Sequence, residues 1–316
     1  MKQTKDKSYL VKIAKRYFID GLSQMQLAEE FQVSRPTVSN LLKRCRREGI
    51  VDIRIAESDN SAGALADRLV ENFPIKQALI AESRHDYQST LESVGEKGAY
   101  YLQSILTKQS RLGIAWGSAL FQVVRHMPHM NLSGIEVIQM VGGTSAENAT
   151  YDGFEIARSM AVRLHGSYHI LPAPIIVHNE SLYEMLVKEP GIAKVINKTP
   201  SLTAAIVGIS SDAPENSPLV SAGFISEQES AELVKQGIVG HVCGYHFTLD
   251  GKFPDIPVNR RVVGISLHDL QRIPIIAVAC GPQKIGALTA ALKTGIIDTI
   301  ITDEHTAVKI VIDENS

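Results

Sequence analysis

Residues 22–42, LSQMQLAEEFQVSRPTVSNLL, carry the start signals of two helices separated by a short turn. Ser23 is followed three residues later by Gln26, and this capping-box spacing predicts that a short helix begins there. Ser34 is a second N-cap, and Pro36 falls in the first turn of the next helix, where a missing N–H costs nothing. The stretch therefore predicts a short helix, a turn of four residues and a longer helix.

A further helix is predicted before this stretch. Apolar residues recur three and four positions apart up to Gly21, which is typical of an amphipathic helix that ends at a glycine. These apolar residues are Tyr9, Leu10, Ile13, Ala14, Tyr17 and Phe18. After the third helix, Val51, Ile53 and Ile55 alternate like a short strand. The order of elements predicts a helix-turn-helix domain over residues 1–55.

The last of the three helices has two different faces. Its inward face carries the apolar side chains of Val38, Leu41, Leu42 and Cys45. Its start and outward face carry Ser34, Arg35, Thr37, Ser39, Asn40, Lys43, Arg44 and Arg47. Arginine pairs with guanine, asparagine pairs with adenine, and basic side chains neutralise phosphate, so we predict that these residues bind double-stranded DNA. A solvated basic face and a protein-docking module are the alternatives.

The charge of the chain is divided unevenly, although its net charge is only −2. Residues 1–54 hold 12 Lys/Arg and 6 Asp/Glu, whereas the remainder holds 20 Lys/Arg and 28 Asp/Glu. This division indicates a basic module that meets a polyanion, joined to an acidic body. With 316 residues, 44% of them hydrophobic and 21% charged, the composition excludes a wholly disordered or fibrous chain.

A change of composition marks the boundary between these two parts. Residues 56–64 are small and polar, which predicts a linker. Over residues 65–316 short apolar runs alternate with amphipathic stretches, and this alternation predicts a mostly parallel α/β sheet. The predicted strands are 78–81, 112–115, 136–141, 168–171, 204–209, 262–267, 275–279 and 299–302. The predicted helices include 94–106, 119–126, 154–165, 226–236 and 284–293.

Ligand sites in such sheets form at the carboxyl ends of the strands, where three glycine-containing turns are predicted. These turns are Trp116-Gly117-Ser118, Gly142-Gly143-Thr144 and Gly281-Pro282-Gln283-Lys284. Backbone N–H groups at a glycine approach a ligand closely, and a helix N-terminus with Lys284 beside it suits a phosphate. A Gly-Gly pair is also typical of a tight bend, and a lone lysine is typical of solvated surface. Asp303 and Glu304 follow another strand and suit sugar hydroxyls; the alternative is an acidic pair at a helix N-terminus.

Several segments together resemble the SorC family of sugar-responsive bacterial transcriptional regulators. In the first part of the chain the similarity lies in residues 22–28, 33–39 and 41–42. In the second part, Trp116-Gly117-Ser118 resembles the family's W-G-[ST] turn, Gly142-Gly143 its strand-end glycine pair, and Lys284 its strand-end lysine. Residues 303–307, DEHTA, are similar to its D-[EQ]-x-[TA]-A signature. Residues 237–251 resemble a glycine-rich pattern in which His241 replaces the usual acidic residue.

The resemblance implies a Rossmann-like effector-binding domain similar to sugar-phosphate isomerases and deaminases, and a homotetramer that is a dimer of dimers. Carried over by position, the contacts to a phosphate or polar head group are Gly117, Ser118 and Lys284, with Gly142, Gly143 and Thr144 beside the sugar. Val141 departs from the family, because several members that bind sugar phosphates have a basic residue there. A valine can neither pair with a phosphate nor form an imine. The effector is therefore expected to be a monophosphate, an unphosphorylated sugar or a polyol.

Other kinds of site are not expected. Three cysteines without CxxC spacing are typical of a reducing cytoplasm. No apolar run reaches the length of a membrane span, and the charged N-terminus is unlike a signal peptide, so no membrane partner is expected. His241 and His246 are five apart with Cys243 between them, and no histidine pair has a closed set of metal ligands. We therefore expect neither a metal nor a cofactor.

The sequence thus predicts a cytoplasmic, sugar-responsive, DNA-binding transcriptional regulator of a carbohydrate-utilisation operon, and not an enzyme. Its partners would be double-stranded operator DNA and a sugar or sugar-phosphate effector. The alternative is a sugar-phosphate isomerase or deaminase with an appended helix-turn-helix domain. Proton transfer between adjacent carbons needs a carboxylate or histidine within reach of the substrate, and Asp303, Glu304 and His305 form a close cluster.

Overall fold

The computed structural model describes residues 7–47, 50–51, 62–143 and 151–314. The chain forms two compact units, residues 1–58 and 59–316. The predicted linker, 56–64, is described only in its last three residues, and these do not form a linker. They begin the helix Ala62–Asn72, because its apolar face buries Leu65 and Leu69, one turn apart. The predicted short strand at 51–55 lies outside the described residues except for its first position.

The first unit consists of three helices: α1 is Lys7–Phe18, α2 is Gln24–Glu30 and α3 is Arg35–Arg47. The predicted capping box is confirmed, since the Ser23 N–H donates to Gln26 Oε1 at 2.9 Å and the Gln26 N–H donates to Ser23 Oγ at 3.3 Å. At the start of α3, the Thr37 N–H donates to Ser34 Oγ at 3.3 Å, as predicted for an N-cap. A cap of this kind is typically worth about 1 kcal/mol.

An apolar core holds the three helices together. Its buried members are Leu10, Ile13, Ala14, Leu27, Val38, Leu41, Leu42 and Cys45. The predicted inward face of α3 is therefore confirmed. Between α2 and α3, Gln32 has a φ of 52° and the Val33 N–H donates to Ala28 O at 2.9 Å. This bond closes the turn and fixes the direction in which α3 leaves α2.

The second unit alternates strands and helices along the chain. Its strands are β1 Gln77–Ala81, β2 Arg111–Ile114, β3 Glu136–Gln139, β4 Ser167–His169, β5 Ala204–Ser211, β6 Ile238–Val242, β7 Tyr245–Thr248, β8 Ile275–Val278 and β9 Thr299–Asp303. Its helices are α4 Ala62–Asn72, α5 Tyr87–Ile105, α6 Ser118–His126, α7 Gly153–Leu164, α8 Glu180–Leu186, α9 Pro190–Ile196, α10 Pro218–Ser221, α11 Glu227–Lys235, α12 Leu267–Leu270, α13 Ile285–Lys293 and α14 Glu304–Glu314. No helix in the described ranges has the length and hydropathy needed to cross a bilayer.

Seven of the strands form a parallel sheet in the order β1-β9-β8-β5-β2-β3-β4. The prediction of a mostly parallel α/β sheet is therefore confirmed. Every position of β8 is buried, as a strand covered on both faces requires. The strand order reverses between β2 and β5, because the chain leads from β2 to β3 and β4 on one side and then to β5 and β8 on the other. At such a point a crevice opens at the carboxyl ends of the strands.

The sheet differs from the prediction in two places. Residues 262–267 are not a strand: Val262, Val263 and Ile265 are buried, but the segment forms only isolated bridges before α12 begins. Its apolar side chains enter the core from a loop, which hydrophobicity alone cannot distinguish from a strand. The second difference is the antiparallel hairpin of β6 and β7, which pairs with β5. The strand pattern does not predict it, because glycine and histidine interrupt its apolar run.

A carboxylate at the start of β3 joins three neighbouring segments. Glu136 accepts hydrogen bonds from Lys198 Nζ at 2.7 Å, His169 Nε2 at 2.8 Å and Arg111 Nε at 3.2 Å. The bond from Lys198 is the main cause that lowers the pKa of Glu136 to about 2, against the opposing effect of burial. This group is therefore charged in the folded protein at pH values where a free glutamate is already protonated.

We expect Glu136→Gln to lower the free energy of unfolding by about 1–2 kcal/mol at neutral pH, after allowance for screening by solvent. A carboxyl whose pKa is lower in the folded state stabilises the protein above its unfolded pKa. The deficit of the variant should therefore shrink as the pH falls from about 4.5 to about 2. Urea denaturation across this range measures it. Glu184→Gln, which changes an exposed glutamate, is the control, and a deficit independent of pH would contradict the assignment.

Candidate functional site

The outward face of α3 is the first candidate site. Its exposed side chains are Arg35, Asn40 and Lys43, and its half-buried ones are Thr37, Ser39 and Arg44. The positions between them are those that enter the core of the first unit. The division of α3 into a polar, basic outer face and an apolar inner face is therefore the one the sequence predicts.

Two of the predicted DNA contacts have a structural task, and one cannot be placed. Ser34 is exposed, but its hydroxyl caps α3 and lies 2.8 Å from Thr37 Oγ1, so both hydroxyls are engaged with each other. The side chain of Arg47 lies outside the described residues. The strongest candidates for contacts to base edges are therefore Arg35 and Asn40.

Contacts from α1 hold the turn in front of α3. Arg16 donates to both carboxylate oxygens of Glu30, at 2.9 and 3.0 Å, next to the point where α2 ends. Tyr9 packs edge-on against Phe31, with ring centroids 5.5 Å apart. Because Phe31 is the C-cap residue of α2, these contacts stabilise the turn from which α3 projects.

The second candidate site is a cavity of about 720 Å³ in the second unit. It lies at the carboxyl ends of β2, β5 and β8, where the strand order reverses. Sites for small molecules usually have volumes of about 300–1,000 Å³. Two of the three predicted turns line this cavity: the turn at Trp116, and the turn that contains Lys284.

The first of these turns connects β2 to α6. The Gly117 N–H donates to Tyr151 O at 3.0 Å, and Gly117 O accepts from the Phe121 N–H as α6 begins. Trp116, Gly117 and Ser118 all line the cavity. The N-terminus of α6, which carries partial positive charge, is therefore directed at the cavity.

The second turn connects β8 to α13. The Gly281 N–H donates to Thr306 Oγ1 at 3.0 Å, and Pro282–Lys284 form a single 3-10 turn. Lys284 lines the cavity, is half-buried, and forms no ion pair with any residue in the described ranges. Burial lowers the pKa of its ammonium group, because removal from water opposes the charged form. An anion bound beside this side chain would favour the charged ammonium group and so counteract the effect of burial.

The rest of the lining includes residues that the predicted contact set omits. Among them are Tyr87, Tyr151, Gly208, Ser210, Glu215, Asn216, His241, Cys243 and Gln283. A signal for several of them is present in the sequence, since the polar segment 210–217, SSDAPENS, follows the end of a predicted strand just as the glycine turns do. Glu215 and Asn216 are exposed, and their side chains suit hydrogen bonds with hydroxyl groups.

The glycine pair after β3 does not line the cavity in the described structure, contrary to the prediction. The Gly142 N–H donates to Val263 O at 3.0 Å, and the Gly143 N–H donates to Ala173 O at 2.8 Å. A Cβ at Gly142 would lie only 2.3 Å from Pro174 O. Gly142 is therefore required by the close approach of two backbone segments. Thr144, the third member of the predicted turn, lies outside the described residues.

Asp303 and Glu304 are also absent from the described lining of the cavity. Asp303 is buried, and its carboxylate accepts hydrogen bonds from the hydroxyl of Ser83 at 2.7 Å and from the N–H and hydroxyl groups of Thr306. It thereby caps the start of α14, whose first residue is Glu304. In this structure Asp303 has the role named by the alternative, an acidic group at a helix N-terminus. That the pair contacts a sugar stays a prediction.

Comparisons with known proteins find matches to both parts of the chain. Residues 60–312 match the Sugar-bind family, described as a sugar-binding domain, and residues 17–60 match the MarR family. Over 299 residues the chain is 28% identical to the deoxyribonucleoside regulator of Bacillus subtilis (strain 168), covering 94% of this chain and 95% of that protein. Over 311 residues it is 27% identical to the sorbitol operon regulator of Klebsiella pneumoniae, covering 97% and 98%. The crystal structure of the full-length sorbitol operon regulator SorC from Klebsiella pneumoniae superposes with a TM-score of 0.73 at 26% identity, covering 97% of this chain and 99% of that one.

A helix-turn-helix unit in the same chain as a sugar-binding domain defines a DNA-binding transcriptional regulator that responds to a sugar. Both relatives match over nearly their whole length, so the likeness extends through both units. The chain belongs to the SorC family of sugar-binding transcriptional regulators.

The structural role of the glycine pair is open to test. We expect Gly142→Ala to lower the free energy of unfolding by about 1–3 kcal/mol, because its Cβ would be forced against two backbone carbonyl groups. Gly286→Ala, whose Cβ would have no neighbour within 4 Å, is the matched control and should change stability little. Thermal unfolding measures both. Equal stability of the two variants would contradict the packing role.

Proposed function

We propose that the cavity of the second unit binds the effector and that this effector is a sugar or polyol with an anionic group, most simply a sugar monophosphate. The observation that carries the proposal is Lys284, a half-buried ammonium group without an ion pair in the described structure, at the lining of the cavity. The N-termini of α6 and α13 lie at the two turns that line the same cavity, and each adds partial positive charge.

The remaining lining favours a polyhydroxylated ligand. Ser118, Ser210 and Asn216 offer neutral hydrogen-bonding groups, and Glu215 offers a carboxylate that accepts from hydroxyls. Val141 supplies no second cation, which favours one phosphate over two. The names of the two relatives, a deoxyribonucleoside regulator and a sorbitol operon regulator, support a sugar or sugar alcohol.

For the first unit we propose that Arg35 and Asn40 contact base edges in the major groove, while Lys43, Arg44 and Arg47 neutralise phosphates. Helix-turn-helix proteins bind paired half-sites, so the protein would act as a dimer or, as in our expectation for the family, as a homotetramer. We place it in the cytoplasm, with the DNA of a carbohydrate-utilisation operon.

We also propose that the protein does not catalyse turnover of its effector. Of the cluster at 303–305, the carboxylate of Asp303 is held by Ser83 and Thr306, so it is not available to move a proton on a ligand in the cavity. The relatives named above are transcriptional regulators, which supports the same conclusion. Conversion of a sugar phosphate on incubation with the protein, followed by NMR, would overturn it.

The DNA contacts can be tested by comparing operator with unrelated DNA. We expect Arg35→Ala and Asn40→Ala each to reduce the preference for operator by about 1–3 kcal/mol, because a bidentate contact to one base is lost. Lys43→Ala should instead weaken binding to both DNAs. The slope of log K against log[salt] should fall in magnitude by about 1, because one phosphate contact is lost. Arg68→Ala and Asn197→Ala, both exposed and in the second unit, are matched controls. Unchanged selectivity in both α3 variants would reject the assignment of the recognition helix.

The effector site can be tested by thermal shift with sorbitol, deoxyribose, their phosphates and inorganic phosphate. A ligand at about 100 times its dissociation constant adds about 2.7 kcal/mol of stability. We expect Lys284→Gln to lose the response to the phosphorylated ligand and to keep its affinity for operator DNA. Lys188→Gln, an exposed lysine elsewhere in the second unit, is the control. A normal ligand response in Lys284→Gln would remove this lysine from the site.

A further inference from the structure

Three titratable side chains meet at the junction between β5 and the β6–β7 hairpin. Asp212 directly follows β5, and Ser210 pairs with His241 of β6. His241 in turn lies opposite His246 of β7. Cys243 and Gly244 form the two-residue turn of the hairpin, with φ angles of 51° and 81°, as a type I′ turn requires. This turn fixes the register that places both imidazoles beside Asp212.

The three side chains are close together and shielded from solvent. Asp212 Oδ1 lies 2.7 Å from His241 Nδ1 and 3.6 Å from His246 Nε2. One nitrogen or oxygen atom of each residue lies within 4.8 Å of those of the other two. Asp212 and His246 are completely buried, and His241 is 3% exposed. Burying an ionised carboxylate this completely costs much free energy unless the charge is paired.

Hydrogen bonds within the described structure do not satisfy this cluster. Asp212 Oδ2, His241 Nε2 and both ring nitrogens of His246 are buried without a partner there. A buried polar atom without a hydrogen-bond partner destabilises a fold, so four of them in one place point to a binding site for a ligand. A cation between the side chains would engage the carboxylate and the imidazole lone pairs together.

The backbone around the cluster is held in place, as the surroundings of a metal site should be. Ser230 Oγ donates to Asp212 O at 2.6 Å. The Asn259 side chain accepts from the His246 N–H at 2.7 Å and donates to His246 O at 3.0 Å. These bonds leave the side chains, and not the backbone, to adjust to a ligand.

We propose that Asp212, His241 and His246 form a binding site for a divalent transition-metal ion of the zinc class. Two imidazoles and one carboxylate are a donor set that suits Zn²⁺ and Co²⁺ better than Mg²⁺ or Ca²⁺, which prefer oxygen ligands. Metal binding needs neutral imidazole and ionised carboxylate.

The site borders the cavity proposed for the effector, because His241 also lines that cavity. The metal proposal does not depend on the effector proposal, since the donor set and its burial are independent of what the cavity binds. The spacing of His241 and His246 in the sequence does not reveal a third ligand. The missing ligand, Asp212, lies 29 residues before His241 and joins it only through the antiparallel pairing of β5 with β6.

The test uses the full-length protein without an affinity tag, stripped with a chelator and titrated with Co²⁺. We expect about one Co²⁺ per chain, visible d–d absorption bands, their loss on addition of Zn²⁺, and a rise in Tm with either ion. Asp212→Asn and His246→Gln should each weaken Co²⁺ binding by about 100-fold or more and abolish the rise in Tm. His178→Gln, a histidine of the same unit outside the cluster, is the matched control and should behave like the wild type.

Failure of the stripped wild-type protein to bind Co²⁺ or Zn²⁺ stoichiometrically overturns the proposal, whatever the variants do. Stoichiometric binding that survives in both Asp212→Asn and His246→Gln overturns it equally, because the ion would then lie elsewhere. Circular dichroism and operator binding confirm that the variants are folded. Should both variants fail to fold, Co²⁺ absorption of the wild type still decides, since weak d–d bands typical of a six-coordinate ion surrounded by oxygen would contradict the proposed donor set.

Discussion

The reversal of strand order between β2 and β5 is the constraint on which the rest of the second unit depends. Parallel strands place all their carboxyl ends at one edge, and the reversal opens that edge between two neighbouring strands. The turns after β2 and β8 and the polar segment after β5 therefore meet around one cavity, although they lie far apart in the sequence. Without the buried aliphatic strands that hold this order, Lys284 and Ser118 would not line the same cavity.

The two units perform separable tasks, and regulation needs an energetic link between them. A ligand changes DNA affinity only when it binds the DNA-competent and DNA-incompetent arrangements with different affinities. The described caps and core of the first unit are formed by residues of that unit, so they support α3 without help from the second unit. The effector is therefore expected to act on how copies of the helix-turn-helix unit are spaced, and not on whether α3 is folded.

Sequence patterns predicted those elements whose local signals agree with their tertiary surroundings. The capping box at Ser23 and the parallel strands are of this kind. Residues 262–267 were predicted wrongly, because a buried loop and a buried strand have the same hydrophobicity. Gly142 and Asp303 belong to backbone packing and helix capping, and a single sequence does not distinguish these tasks from ligand binding. The Asp212 cluster was not predictable, because it depends on the register of a hairpin that interrupts the expected alternation of strands and helices.

The burial of all three cysteines gives the molecule internal reporters of local opening. Cys45 lies in the core of the helical unit, Cys243 lies in the hairpin turn, and Cys280 lies two residues after the end of β8. Burial raises the pKa values of Cys243 and Cys280 to about 12, and only the thiolate reacts readily with alkylating and disulfide reagents. Each thiol can therefore be modified only after a local opening that exposes it. The three labelling rates would report separately on the opening of the helical core, the hairpin and the central sheet.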